Sequence, residues 1–173
     1  MQEYVVVDLE TTGLDPYKGC EIIEIGITEI KDDKIVRNYS RLVKPKGIIP
    51  SLITEITGIT NDMVKNEEEI ETVLPRFRKF LGDRVMIAHN AKFDLKFLNY
   101  YLQKYDLPII ENHLCTLEML KKSKSYKVKN KKLETACNYY NIKNENAHRA
   151  DSDTKATAEL FLIIKDEIFS SLI

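Results

Sequence analysis

The stretch Tyr4-Val5-Val6-Val7-Asp8-Leu9-Glu10-Thr11-Thr12-Gly13 decides how this chain folds. It has the residue types of a strand, and side chains on a strand alternate between faces. Tyr4, Val6, Asp8 and Glu10 therefore share one face, and Val5, Val7 and Leu9 share the other. A run this apolar reads as buried on both faces, where an ionised carboxylate is costly unless something compensates it. No Lys or Arg lies between Met1 and Tyr17 to do so. A divalent cation is the natural partner. The alternative is a strand that ends at Asp8 with both acids in water.

The rest of the chain sets bounds on that reading. Its 173 residues, 43% hydrophobic and 31% charged, have the size and composition of one soluble domain able to bury a core. A single domain over residues 1–173 is expected. No apolar run approaches the length of a membrane span, and acidic Glu3 stands where a signal peptide would be basic. A cytoplasmic protein without membrane contact is the default. Cys20, Cys115 and Cys137 are odd in number, widely separated and without a C-x-x-C pair, so they read as reduced thiols. A net charge of −1 gives no global basic field, so a polyanion would have to be held by local features. One such feature is a run of seven lysines from Lys121 to Lys132 with no acid among them; its ordinary identity is a solvated loop.

Outward from the first strand, T-T-G-L-D-P is turn chemistry, and Glu21 to Ile30 reads as a second strand with Ile23, Ile25 and Ile27 alternating. Asp32-Asp33 makes a tight turn, and Lys34 to Val43 a third strand, completing an antiparallel meander. Short helical signals occupy Ser51 to Val64. Asn66 with Glu69 predicts a capping box before an amphipathic helix carrying Ile70, Val73, Leu74, Phe77, Phe80 and Leu81. Pro75 means that this helix either kinks or begins nearer Thr72. Val85 to Ala88 is a short buried strand of parallel type, ended by His89-Asn90. The helix from Ala91 to about Tyr105 follows, with a further strand near His113 to Leu117, the lysine-rich loop, a helix from Leu133 to Tyr140 and a last helix from Ala150 to Ile168.

Two of these helices carry an acid on the wrong side. Asp94 lies on the face of Phe97, Leu98, Tyr101 and Leu102, and Asp153 extends the stripe of Thr157, Leu160, Ile164 and Ile168 by one turn. Asp151 aligns instead with Lys155 and Asp166. A helix dipole favours acids in the first turn but does not explain their inward aim. Asp8, Glu10, Asp94 and Asp153 meeting in one place would repel, whereas hard oxygen ligands in this number suit two Mg²⁺ or Mn²⁺ ions. Two such ions roughly 3.5–4 Å apart are an arrangement that splits phosphodiesters. His148, just outside the last helix, supplies a side chain suited to general-base work, although a lone His is more often structural.

These residues resemble the DEDDh 3′→5′ exonuclease family, which includes the proofreading epsilon subunit of DNA polymerase III. The resemblance rests on Val7-Asp8-Leu9-Glu10-Thr11-Thr12-Gly13, on His89-Asn90-Ala91-Lys92-Phe93-Asp94 and on His148-Arg149-Ala150-Asp151-Ser152-Asp153, in that order across essentially the whole chain. His148 lies five positions before Asp153; the tyrosine subfamily would need Tyr four before it, where this chain has Arg149. The resemblance implies an α/β, ribonuclease H-like fold with a five-stranded mixed sheet, an antiparallel meander plus parallel strands, flanked by helices. It implies that Asp8, Glu10, Asp94 and Asp153 hold two divalent cations and that His148 is the catalytic base. It also implies substrate roles: Thr11, Thr12 and Leu14 around the terminal nucleotide, Thr57, Gly58 and Ile59 on its other side, and His89, Asn90 and Phe93 near sugar and phosphate. On residue type alone these are turn residues, a loop pair and core packing. Cys115 departs from the family, where many relatives carry Asp in D-T-L.

The expected activity is hydrolysis of single-stranded or frayed 3′ ends of DNA to 5′-mononucleotides, with a DNA polymerase as candidate partner. An exoribonuclease of the same chemistry is the nearest alternative. An inactive nucleic-acid-binding or polymerase-interaction module is the alternative of another class.

Overall fold

The computed structural model describes residues 2–171. Glu3–Thr11 forms β1, which runs antiparallel to β2 (Ile22–Lys31), and β2 runs antiparallel to β3 (Lys34–Leu42). The turn between β2 and β3 places Asp32 and Asp33 at φ 46° and 63°, a left-handed pair that suits the twist of a two-residue hairpin. On the other side β4 (Val85–Ala88) and β5 (His113–Cys115) add in parallel, giving the order β3-β2-β1-β4-β5. The five-stranded mixed sheet that the resemblance implies is the sheet observed.

Alternation along β1 divides the core. Val5, Val7 and Leu9 pack with α3 (Ile70–Leu81) and α4 (Ala91–Lys104), while Tyr4 and Val6 pack with α5 (Thr116–Lys122), α6 (Leu133–Tyr140) and α7 (Ala150–Ser170). The Phe161 ring of α7 meets Tyr4 edge-on at 4.9 Å and is fully buried; truncating such a residue to Ala costs about 3–5 kcal/mol. A third, smaller cluster of Ile23, Ile49, Ile59 and Val64 seats α1 (Ser51–Thr57) and α2 (Asn61–Val64). No helix among the described residues is long and apolar enough to cross a membrane.

Three local expectations are corrected. The capping box is not at Asn66 and Glu69: Glu69 caps α3 with no side-chain bond, and the helix starts at Ile70 with Pro75 inside it. The box lies one helix earlier, where Thr60 Oγ1 accepts the Met63 N–H at 3.2 Å. Second, β5 ends at Cys115, and Thr116–Lys122 is a helix, so the lysine run begins on the last turn of α5 and only then becomes a loop. Third, β2 is buried along both faces, with Glu24 fully buried among its isoleucines. A strand covered on both sides needs no alternation, so the isoleucine pattern alone could not show where Glu24 points.

β2 also approaches α7 very closely at Gly26. A Cβ there would lie 2.3 Å from the Ala150 carbonyl carbon and oxygen, so no other residue seats the helix at this depth.

Candidate active site

Asp8 and Glu10 leave β1 on the α7 side, and Asp153 comes from the first turn of α7; carboxylate oxygens of the three lie within 4.8 Å of one another. Asp94 stands outside that group. It reaches β1 from the opposite helix layer, fully enclosed, and its Oδ1 accepts the Leu9 N–H at 3.2 Å, between the two β1 acids. β4 pairs with β1 only as far as Val6, so the end of β1 that carries the acids has no strand beside it on that edge.

Asp8 Oδ2 is shielded from solvent and has no hydrogen-bond partner among the described residues. Burial, then the charges of Asp94, Glu10, Asp153 and Glu24, hold the Asp8 carboxyl well above the ordinary range. Burial and the neighbouring acids raise Glu10 to about 8, and burial raises Asp94 to about 8 against the opposing bond from Leu9. Burial raises Asp153 too, against the opposing bond from Asn144, whose Nδ2 donates to its Oδ1 at 2.7 Å. Hard carboxylate oxygens, one of them orphaned, fit a divalent cation such as Mg²⁺ or Mn²⁺, which would remove both the repulsion and the unmet valence. Asp8, Glu10 and Asp153 are the residues positioned to hold it directly.

His148 is exposed, in the left-handed region at φ 67°, and its backbone N–H donates to Asp153 Oδ2 at 3.1 Å. Arg149 follows it and reaches Glu24: its Nη2 and Nε donate to Glu24 Oε2 at 2.7 and 3.0 Å. The Ala150 N–H donates to Glu24 Oε1 at 2.5 Å. Glu24 stands directly opposite Glu10 in the β1–β2 register, so a further carboxylate faces the site. Sequence reasoning passed over it, although an acid alone in I-I-E-I-G-I carries the same signal that singled out Asp8.

The remaining candidates separate by what already occupies them. Thr11 Oγ1 donates to the Gly13 carbonyl at 2.6 Å and Thr12 Oγ1 accepts the Glu21 N–H at 2.8 Å, which stiffens the T-T-G turn and leaves the Leu14 side chain 80% exposed beyond it. Thr57, Gly58 and Ile59 form the C-cap of α1, with Gly58 at φ 75° and Ile59 fully buried. His89 is held on both ring nitrogens: Nε2 meets the Lys131 carbonyl and Nδ1 the Thr116 hydroxyl, each at 2.8 Å. A carbonyl only accepts, so Nε2 carries a proton. Burial lowers the pKa of His89, which keeps the ring neutral. Asn90, exposed at φ 65°, starts α4, and half-buried Phe93 lies 5.1 Å from the Phe97 ring. Cys115 Sγ accepts the Ala91 N–H at 3.4 Å.

A five-stranded mixed sheet with an acidic cluster where its helix layers meet defines a class, the nucleases of ribonuclease H-like fold. The chain belongs to the exonuclease family, whose model matches residues 5–161. It is 42% identical over 166 residues to "DNA polymerase III PolC-type" of Caldanaerobacter subterraneus subsp. tengcongensis, covering 96% of this chain and 12% of that one. It is 37% identical over 171 residues to "DNA polymerase III subunit epsilon" of Aquifex aeolicus, covering 96% of this chain and 82% of the relative. Among solved structures, exonuclease X in complex with 5′ overhanging duplex DNA superposes with a TM-score of 0.76 at 26% identity, covering 95% and 92% of the two chains. The chain thus spans only about an eighth of the PolC-type relatives.

Proposed function

We propose that residues 1–173 are one domain that removes single nucleotides from single-stranded or frayed 3′ ends of DNA, releasing 5′-mononucleotides in proofreading or repair. The observation that carries this is the orphaned Asp8 Oδ2 inside the Asp8, Glu10 and Asp153 cluster, with His148 tied to the same Asp153. Relatives named as DNA polymerase III chains support DNA as substrate and a DNA polymerase as partner; a cytoplasmic location goes with that reading.

Asp8, Glu10 and Asp153 would hold Mg²⁺ or Mn²⁺, and Asp94, bonded to Leu9 between the two β1 acids, is the acid that would serve a second ion. Bound there, the cations would supply Lewis-acid stabilisation of charge building on the phosphate. His148 takes a proton from the attacking water as its oxygen bonds to phosphorus, and the bond from phosphorus to the 3′ oxygen of the penultimate nucleotide breaks. That oxygen gains a proton and becomes the new 3′ end. Leu14 projects from the stiffened turn where it can lie against the terminal base, and Asn90 and Phe93 border the approach to its sugar and phosphate. Thr57 and Ile59 turn their side chains into the fold, so with exposed Gly58 they would shape the opposite wall through backbone.

The test is a 5′-labelled oligonucleotide with a free or a blocked 3′ end, sampled over time beside its RNA counterpart. A descending ladder on DNA that vanishes on blocking is the expected result. Mispaired termini should be trimmed faster than matched duplex, because fraying costs less there. Cuts in a circular strand, early release of the 5′ label, or faster degradation of the RNA would overturn the reading.

A further inference from the structure

We propose that Glu24 is a positioning residue for His148, acting through Arg149 and the start of α7. Helix α7 begins at Ala150, and its N-cap residue Arg149 makes no side-chain cap bond. The first N–H of a helix needs a partner. Here the partner comes from a strand 126 residues away, since Glu24 Oε1 takes the Ala150 N–H. The other oxygen of the same carboxylate takes the Arg149 guanidinium twice. One fully buried carboxylate therefore fixes both the backbone and the side chain of the two residues that follow His148.

The other side of His148 is fixed as well. Asp153 accepts the His148 N–H, and the Asp153 N–H donates to the Arg149 carbonyl at 3.0 Å. His148 thus occupies a left-handed turn clamped between a site acid and the pair from Glu24 and Arg149. A residue other than Gly enters that conformation at a cost, even a type such as His that visits it more often than most, and stays only where its surroundings hold it. Removal of Glu24 leaves the turn free to relax, and the imidazole moves with it.

This inference rests on the exonuclease reading only for the role of His148, so the experiment has an arm that does not depend on turnover. The full chain is compared as wild type, Glu24→Gln, Glu24→Ala, His148→Ala and the Glu24→Ala/His148→Ala double variant. Glu24→Gln preserves volume and an acceptor for Ala150 while losing the ion pair. In the first arm, kcat on a single-stranded oligonucleotide should fall about 10- to 100-fold in Glu24→Ala, the size of effect expected from a misplaced group. KM should stay within about twofold, and Glu24→Gln should recover part of the loss. The double variant should be no slower than His148→Ala, because a residue that acts through His148 has nothing left to position. In the second arm, ¹⁵N-histidine spectra should show one of the chain's three imidazoles, assigned by its absence in His148→Ala, displaced in Glu24→Ala while His89 and His113 are unmoved. An unmoved His148 signal, or losses that multiply in the double variant, overturns the proposal. A wild-type chain that fails to cut DNA overturns the exonuclease reading instead, and the imidazole spectra still decide the positioning role.

Discussion

Asp153 holds His148 by its backbone: the His148 N–H donates to Asp153 Oδ2 at 3.1 Å, leaving the imidazole itself exposed. An imidazole presented in this way is free to meet a water at a substrate phosphate. His148→Ala should therefore bind divalent metal and oligonucleotide as wild type does, yet turn over about 10²- to 10⁴-fold more slowly. The acidic limb of the pH–rate profile should vanish with it. Wild-type rate and pH dependence in this variant would return His148 to a purely structural role.

Asp8 is the acid whose loss should separate activity from stability most cleanly. Its Oδ2 has no partner in the metal-free fold, and a buried acceptor left unmet costs about 1–3 kcal/mol. Asp8→Asn should abolish cleavage and raise the metal-free Tm, by about 2–4 °C for each kcal/mol recovered in a chain of this size. Excess EDTA should silence the wild type. Activity that survives EDTA, or an Asp8→Asn chain that melts lower than wild type, would contradict the account of the cluster.

The same acids set the pH dependence of stability. In the folded chain Glu10 and Asp94 are raised to about 8, and Asp8 well above its ordinary value. The fold therefore retains protons that the unfolded chain releases near pH 4, where carboxyls ordinarily titrate. Stability must fall as pH rises from there towards 8, since the folded state binds more protons over that window. Thermal melts in EDTA should show a lower Tm at pH 8 than at pH 5.5, and saturating Mg²⁺ should narrow the difference. A Tm that climbs over that interval without metal would mean that groups other than the buried acids govern the pH response.

The meander, the two layers of helix and the inward acids were legible because β1, α4 and α7 carry clear patterns, and an inward acid within a strong period is conspicuous; the order β3-β2-β1-β4-β5 depends on ladder partners that no pattern names. The capping box was misplaced because Asn66 and Glu69 have the right spacing, and only the backbone shows that the turn before Ile70 belongs elsewhere. α5 was missed because Thr116–Lys122 is too short to establish a period and ends in lysines. Glu24 carries the signal of an acid among apolar neighbours, but what it does depends on Arg149 and Ala150, 125 and 126 residues away. The engagement of both His89 nitrogens depends on Thr116 and Lys131, neither of which is near it in sequence.

The lysine run is more ordered than its composition implies. Glu167 accepts the Ser125 N–H at 3.0 Å and the Ser125 hydroxyl at 2.6 Å, while the Lys131 ammonium lies over the Tyr126 ring at 4.7 Å. Those bonds to Glu167, that from the Ser125 hydroxyl foremost, hold its carboxyl down at about 2. Lys127, Lys129 and Lys132 are exposed on this frame. Neutralising the three should flatten the slope of log affinity against log salt, by up to roughly 0.7 for each single-strand phosphate that a lysine no longer meets. Sequence preference should not change, because ammonium groups meet phosphates as point charges. An unchanged slope would mark the segment as a solvated loop.

Gly26 sits opposite Asp8 in the strand register, and the wall of Ala150 stands where its side chain would begin. The clearance between strand and helix is thus an interference fit, cut to the width of one absent methyl group. Every acid–acid spacing across that seam inherits this tolerance, and so does the turn that carries His148. Gly26→Ala would alter no charge, no hydrogen-bonding group and no ligand, yet it would push α7 off β2 like a shim driven under a bearing. In this protein the alignment of the polar groups is machined by the smallest apolar one.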